Sequence, residues 1–179
     1  QEIRLQELSP SDAQMLVESL LQTDHVPEEL ERFIREKVEG NPFYLEEVIN
    51  SLLERNILIE EDGSWVLTKH LDKEDIPSTI QGVITARLDR LGVETRRIVQ
   101  EASVIGRAFL YEILQRITEL RNEMDQSLAG LERLDIIKTR TIQPDIEYIF
   151  KHALTQEVAY NGLLKKERRN IHEKIGQVM

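Results

Sequence analysis

Residues able to do chemistry are few in this chain, and they do not cluster in sequence. The four histidines, His25, His70, His152 and His172, are dispersed. None pairs convincingly with a second His or a carboxylate at the helical spacing that a zinc site needs. Cysteine is absent, which excludes a thiolate nucleophile, a thiolate metal site and any disulfide framework. There is no Gly-x-Ser-x-Gly elbow for a serine nucleophile. Nor is there a Gly-rich loop closing on Lys-Ser/Thr, or an apolar strand ending in the paired acids that hold Mg²⁺. These residues alone are therefore expected neither to hydrolyse a nucleotide nor to hold a metal or cofactor.

One short stretch stands out for its backbone. In "GNPFYLEEV", residues 40–48, Gly40-Asn41-Pro42 interrupts two amphipathic helical patterns. Local rules account for it as a corner, with Gly40 ending one helix and Pro42 opening the next. A second reading is also open: a backbone held rigidly at a helix start is placed to meet a ligand.

The elements around that corner are mostly helical. Ser9 and Pro10 mark the N-cap and first turn of a helix with Met15, Leu16 and Leu20 on one side. Leu30, Phe33, Ile34 and Val38 mark a second helix that stops at Gly40. Leu45, Val48, Ile49 and Leu52 mark a third, which ends near Asn56, with Glu46 and Glu47 expected in its first turn. Asp62-Gly63 between two β-rich runs predicts a hairpin, and the alternation of Ile3 and Leu5 predicts a short strand over residues 1–8. The polar run "KHLDKEDIPST" reads as a connector. Beyond it come a helix over Ile80 to Leu91 capped by Ser78 or Thr79, a helix with Ile98, Val99, Ala102 and Ile105 inward, a short helix in "FLYEILQRI", and a helix carrying Met124, Leu128, Leu131 and Leu134. The β-branched runs "IIKTR" and "IEYIF" follow, and helix, helix, helix, hairpin is the order of a winged helix. Two more helices complete the chain.

Composition agrees with a helix-rich globular protein: 40% hydrophobic, 31% charged and 5% aromatic over 179 residues. No apolar run approaches the roughly 20 residues that cross a bilayer, and the lack of cysteine fits a cytoplasmic setting. The chain begins mid-pattern at "QEIRLQEL" with no initiator Met and no signal segment, which predicts a piece of a larger protein. Charge is uneven: residues 1–62 carry 16 acidic and 5 basic residues, the rest 17 acidic and 18 basic. Neither balance suits a phosphate backbone. The helix that would read DNA in a winged helix carries Glu123, Asp125, Glu132 and Asp135 against Arg133, which argues against a nucleic-acid partner. The basic cluster Lys165, Lys166, Arg168 and Arg169 reads as a solvated helix face.

Five segments in one order, "GNPFYLEEVINSLLERNIL", "IPSTIQGVITARLDRL", "RRIVQEASVIGRAF", "LAGLERLDII" and "YIFKHALTQEVAYNGLL", resemble the signal-transduction ATPases with numerous domains, a branch of the AAA+-type fold. The likeness is greatest to the ATPase modules fused to class III adenylate/guanylate cyclases, and it extends to LuxR-type regulators. It implies a mainly α fold with small β-hairpins, divided into four parts. Residues 1–8 would be the last strand of a truncated ATPase core, 9–70 a helical lid with a β-hairpin, 76–152 a winged-helix domain, and 153–179 the start of a helical repeat array.

The resemblance also implies a site. In that family a Gly-x-Pro turn of the lid closes over the adenine, which carries onto Gly40, Asn41 and Pro42; a proline ring is a flat apolar surface with no N–H to desolvate. His152 in "FKHAL" is similar in position to a winged-helix histidine that touches the ADP β-phosphate in the apoptosis and plant-immunity branches. Phe150 stands here where those branches have Met, and Ala153 where they have Asp. ATP or ADP is thus expected in the intact protein and none in these residues alone. The implied partners are the missing nucleotide-binding core and a cyclase output domain of the same chain, with nucleotide state favouring one arrangement of lid and winged helix about residues 70–77. Two alternatives stay open, the same module in a LuxR-type transcription regulator and an interaction scaffold that binds no nucleotide. Apolar faces left by absent neighbours also leave oligomerisation of the intact protein open.

Overall fold

The computed structural model describes residues 7–37, 40–72, 74–141 and 144–178. Among these the chain is mainly α-helical, with two small antiparallel sheets. It divides into two compact units, one up to Val83 and one from Ile84. The division falls inside helix α4 (Ile80–Asp89).

The first unit contains α1 (Pro10–Leu21), α2 (Glu28–Lys37) and α3 (Pro42–Glu54), followed by β1 (Leu58–Glu61) and β2 (Ser64–Leu67). Ser9 caps α1 through a reciprocal box with Asp12, its Oγ accepting the Asp12 N–H at 3.2 Å. The face of α1 that is buried consists of Ala13, Val17 and Leu21. Met15, expected on the inward side, is 57% exposed, because two residues of helix turn it about 200° away from Ala13. Leu30, Phe33 and Ile34 of α2 meet Leu45, Val48, Ile49 and Leu52 of α3 in one core. Each such side chain contributes about 1.5–3 kcal/mol on burial. Val38, also expected inward, and the expected strand through residue 6 lie outside the described residues.

The hairpin follows from its turn chemistry. Asp62 and Gly63 both have positive φ, 50° and 76°, and the last pair is Glu61 with Ser64, the geometry of a two-residue turn that matches strand twist. Trp65 packs on the core and its Nε1 donates to the Leu21 carbonyl at 2.9 Å. Glu46 and Glu47 fall in the second turn of α3 rather than the first. Glu47 is buried, a placement that the dipole argument does not describe.

The connector is anchored rather than loose. Leu71 and Ile76 are core residues, the Leu71 N–H donates to Glu29 Oε1 at 2.8 Å, and Arg55 Nη1 donates to the Asp75 carbonyl at 2.6 Å. Asp75 also accepts from Lys69 and lies 3.4 Å from Arg55 Nη2. The hydrogen bond from Lys69 is the main reason its carboxyl sits below the ordinary value of 3.8. A lowered folded-state pKa adds stability above the unfolded value and loses it as pH falls through the folded one. Asp75→Asn should therefore cost about 0.5–1 kcal/mol at pH 7, the scale of an ion pair whose Lys69 partner stays half exposed. In urea titrations at stepped pH the gap from the native protein should hold above about pH 5 and close below about pH 4. A gap that persists in acid would mean that the carboxylate charge is not its source.

Thr79 begins α4, its Oγ1 accepting the Gly82 N–H at 3.1 Å. The second unit continues with α5 (Val93–Ile105), β3 (Ala108–Leu110), α6 (Tyr111–Ile117), α7 (Met124–Arg133), β4 (Ile137–Thr141), β5 (Glu147–Phe150), α8 (Ala153–Asn161) and α9 (Lys165–Val178). Its sheet has the order β3-β5-β4, all antiparallel. The helix expected in "FLYEILQRI" starts only at Tyr111. Phe109 and Leu110 belong to β3 instead, paired with Tyr148 and Glu147. Buried Phe109 stacks on Tyr148 and tilts on Phe150, each at 5.7 Å between ring centres, and that non-local packing overrides the local helical period.

In both units a helix hands over to a strand in the same way. Asn56 after α3 and Asp135 after α7 are left-handed, with φ of 52° and 56°. The next residues, Ile57 and Ile136, donate back to Leu52 and Leu131 at 2.9 Å. Asn and Asp tolerate this conformation better than other side chains, and the six-to-one bond satisfies a helix-end carbonyl.

Candidate functional site

The corner at residues 40–42 is built by three constraints. Gly40 has φ of +69°, open to glycine at little cost. Its carbonyl accepts the Leu8 N–H at 2.8 Å, and a Cβ placed on it would stand 2.7 Å from the Leu8 carbonyl oxygen and 3.0 Å from the Leu8 nitrogen. Asn41 is the N-cap of α3, its Oδ1 accepting from the Phe43 and Tyr44 N–H groups at 3.1 and 3.2 Å. Pro42 occupies the first helical turn, where a missing N–H leaves no bond unmade. One turn on, the Tyr44 hydroxyl donates to the Pro77 carbonyl at 2.7 Å. The result is a fixed backbone corner with Asn41 and Pro42 exposed and Gly40 half-buried.

Gly40 also borders an open cleft of about 110 Å³ whose lining includes Leu8, Ala13, Val17, Val26 and Ile34. The rim carries Gln14, Glu31 and exposed Arg35, with Gln14 Nε2 donating to Glu31 Oε1 at 3.3 Å. Sequence reading missed this cleft. Leu8 and Val26 belong to no helical stripe, and nothing local announces that the chain at Leu8 returns to Gly40.

His152 lies in the second unit as the N-cap of α8, directly after β5. Its carbonyl accepts the Thr155 N–H at 3.2 Å, while its side chain makes no capping bond. The ring is half-buried, with Nε2 out of contact with solvent. The other histidines have local roles. His70 pairs with Glu29, His172 Nε2 lies 3.3 Å from the Tyr160 hydroxyl, and His25 is exposed in the α1–α2 loop. Among the described residues no group of His, Asp and Glu is arranged to hold a metal ion. No helix among them is long and apolar enough to cross a membrane.

The acids of α7 are turned to their own unit. Asp125 accepts from the Tyr111 hydroxyl at 2.7 Å, which is the main cause that raises the tyrosine pKa. Glu132 accepts from the Thr139 N–H and hydroxyl at 3.0 and 2.6 Å. Asp135, beyond the end of α7, is pushed up by burial, but its bond from Lys151 and the nearby Lys138 carry it below the usual range. Asp125 and Glu132 thus join α7 to Tyr111 and to β4.

Residues 9–65 match a domain family whose function is unknown, DUF8739. The match runs from the N-cap of α1 to Trp65 in β2, so it contains the corner and most of the cleft. No curated protein matches the chain.

Proposed function

We propose that this chain is the regulatory lid and winged-helix portion of a nucleotide-gated signal-transduction ATPase, and that its output is a class III adenylate/guanylate cyclase domain of the same protein. The corner at Gly40-Asn41-Pro42 carries the proposal. Its backbone is fixed at three successive residues, yet the proline ring is exposed and the corner opens beside an apolar cleft. A purine offers the complementary surface, a flat apolar face that stacks without needing a donor from proline.

The element order supports the winged-helix part: α5, β3, α6, α7, β4, β5 with β5 central is the helix, strand, helix, helix, hairpin sequence of that fold. In the first unit three helices and a hairpin fill the role of the lid. His152, at a strand-to-helix junction, is the proposed phosphate contact, completed by a nucleotide-binding core. DNA reading by α7 is disfavoured by its residue types, with Glu123, Asp125, Glu132 and Asp135 in and beside the helix against Arg133. Signal transduction then follows from population shift: ATP and ADP that bind two arrangements with different affinity bias the output domain.

The test is calorimetric titration of ATP and ADP into the protein that carries this chain together with its nucleotide-binding core. Saturable binding is expected. Absence of binding to a folded, core-containing protein would leave the scaffold reading in its place.

A further inference from the structure

Helix α9 is held differently from the helix beneath it. Of its 14 residues Ile171 and Ile175 are buried, whereas α5, of 13 residues, buries Ile98, Val99, Glu101, Ala102, Ser103 and Val104. Lys165 and Lys166 bring cations to the positive end of the helix dipole, an unfavourable placement. Glu167 opposes them: its Oε2 accepts the Leu164 N–H at 3.0 Å, and its Oε1 takes Arg97 Nη1 of α5 at 3.3 Å. Near the other end Lys174 Nζ reaches Glu119 Oε1 at 2.9 Å and the Ile117 carbonyl, the last of α6, at 3.4 Å. Glu119 is 87% exposed and Glu167 41%, so both pairs stand within reach of salt.

We propose that α9 is a strap, docked on α5 and α6 by two apolar anchors and two salt-screened ion pairs and touching α8 through the exposed contacts of His172 and Arg168 with Tyr160, which undocks as a unit while α5, α6 and α7 stay folded. The chemistry of the two pairs makes release possible without stranding a buried charge. Arg97 Nε holds Glu101 at 3.0 Å separately from the Nη1 contact, so when Glu167 leaves, the buried Glu101 keeps its arginine. Glu119 is solvated as soon as Lys174 departs. A helix with few buried apolar contacts and exposed polar ties belongs to the low-stability end of a domain. The strap does not depend on nucleotide, and its test is independent of the reading above.

Hydrogen exchange followed by mass spectrometry on this chain, at about 0.01 M and about 1 M sodium chloride, decides it, because the screening length falls from roughly 30 Å to roughly 3 Å over that range. The amides of α9 should exchange roughly fivefold faster at high salt while those of α5 do not change, the scale expected for two exposed pairs. Glu119→Gln, outside α9, should speed α9 exchange at low salt and shrink its salt response. Exchange of α9 and α5 in step, no salt response, no effect of Glu119→Gln, or an α9 already unprotected at low salt would each overturn the proposal.

Discussion

Gly40→Ala should lower the unfolding free energy of the first unit by about 2–4 kcal/mol, read from urea titrations followed by Trp65. Two effects add. A left-handed backbone costs an alanine about 1 kcal/mol relative to glycine. The new methyl also meets the Leu8 carbonyl oxygen at 2.7 Å, and a backbone atom cannot swing aside as a side-chain tip can. Gly63→Ala is the control. Gly63 has φ of +76° with nothing within 4 Å of a Cβ, so it carries the conformational part alone, about 1 kcal/mol. Trp65 is the single tryptophan of the chain and packs on that core, which makes its fluorescence a report on this unit. Equal losses for the two variants would show that the Leu8 contact yields without cost.

In the second unit the largest effect is expected from Phe150→Ala, about 3–5 kcal/mol, the range for an aromatic removed from a closed core. Phe150 is fully buried, its ring lies 5.7 Å from that of Phe109, and its N–H donates to the Arg107 carbonyl at 2.8 Å. The alanine keeps the backbone bond and loses the packing on Phe109, so hydrogen exchange in β5 and β3 should speed up together. Phe150→Met, closer in volume and flexible enough to fill the gap, should cost less than about 1.5 kcal/mol. A methionine as damaging as the alanine would mean that the tilted ring contact with Phe109, rather than filled volume, holds β5 against β3.

What was legible in the sequence was what local chemistry dictates. Ser9-Pro10, Pro42 and Asp62-Gly63 mark helix starts and a hairpin turn because capping, a fixed φ and positive φ are properties of one or two residues. The stripes in α2 and α3 were legible because the core lies on one side of each. What escaped depends on distant partners. Phe109 has a helical neighbourhood and becomes a strand because Tyr148 and Phe150 lie against it. Met15 fits a hydrophobic list but stands on the wrong side of α1. At the corner, the glycine stop and the proline start were legible, whereas the contact from Leu8 and the cleft beside Gly40 arise from chain return and have no local signature.

The central claim is that the corner serves a nucleotide and not only the fold, and Pro42→Ala in the protein joined to its nucleotide-binding core tests it most directly. Alanine is compatible with a first helical turn, and the loss of proline's rigidity should cost at most about 1 kcal/mol of stability. The account predicts ADP affinity weakened by about tenfold, equal to about 1.4 kcal/mol, with the melting temperature nearly unchanged. Unchanged affinity together with a large loss of stability would contradict it and leave Gly40-Asn41-Pro42 as a structural corner.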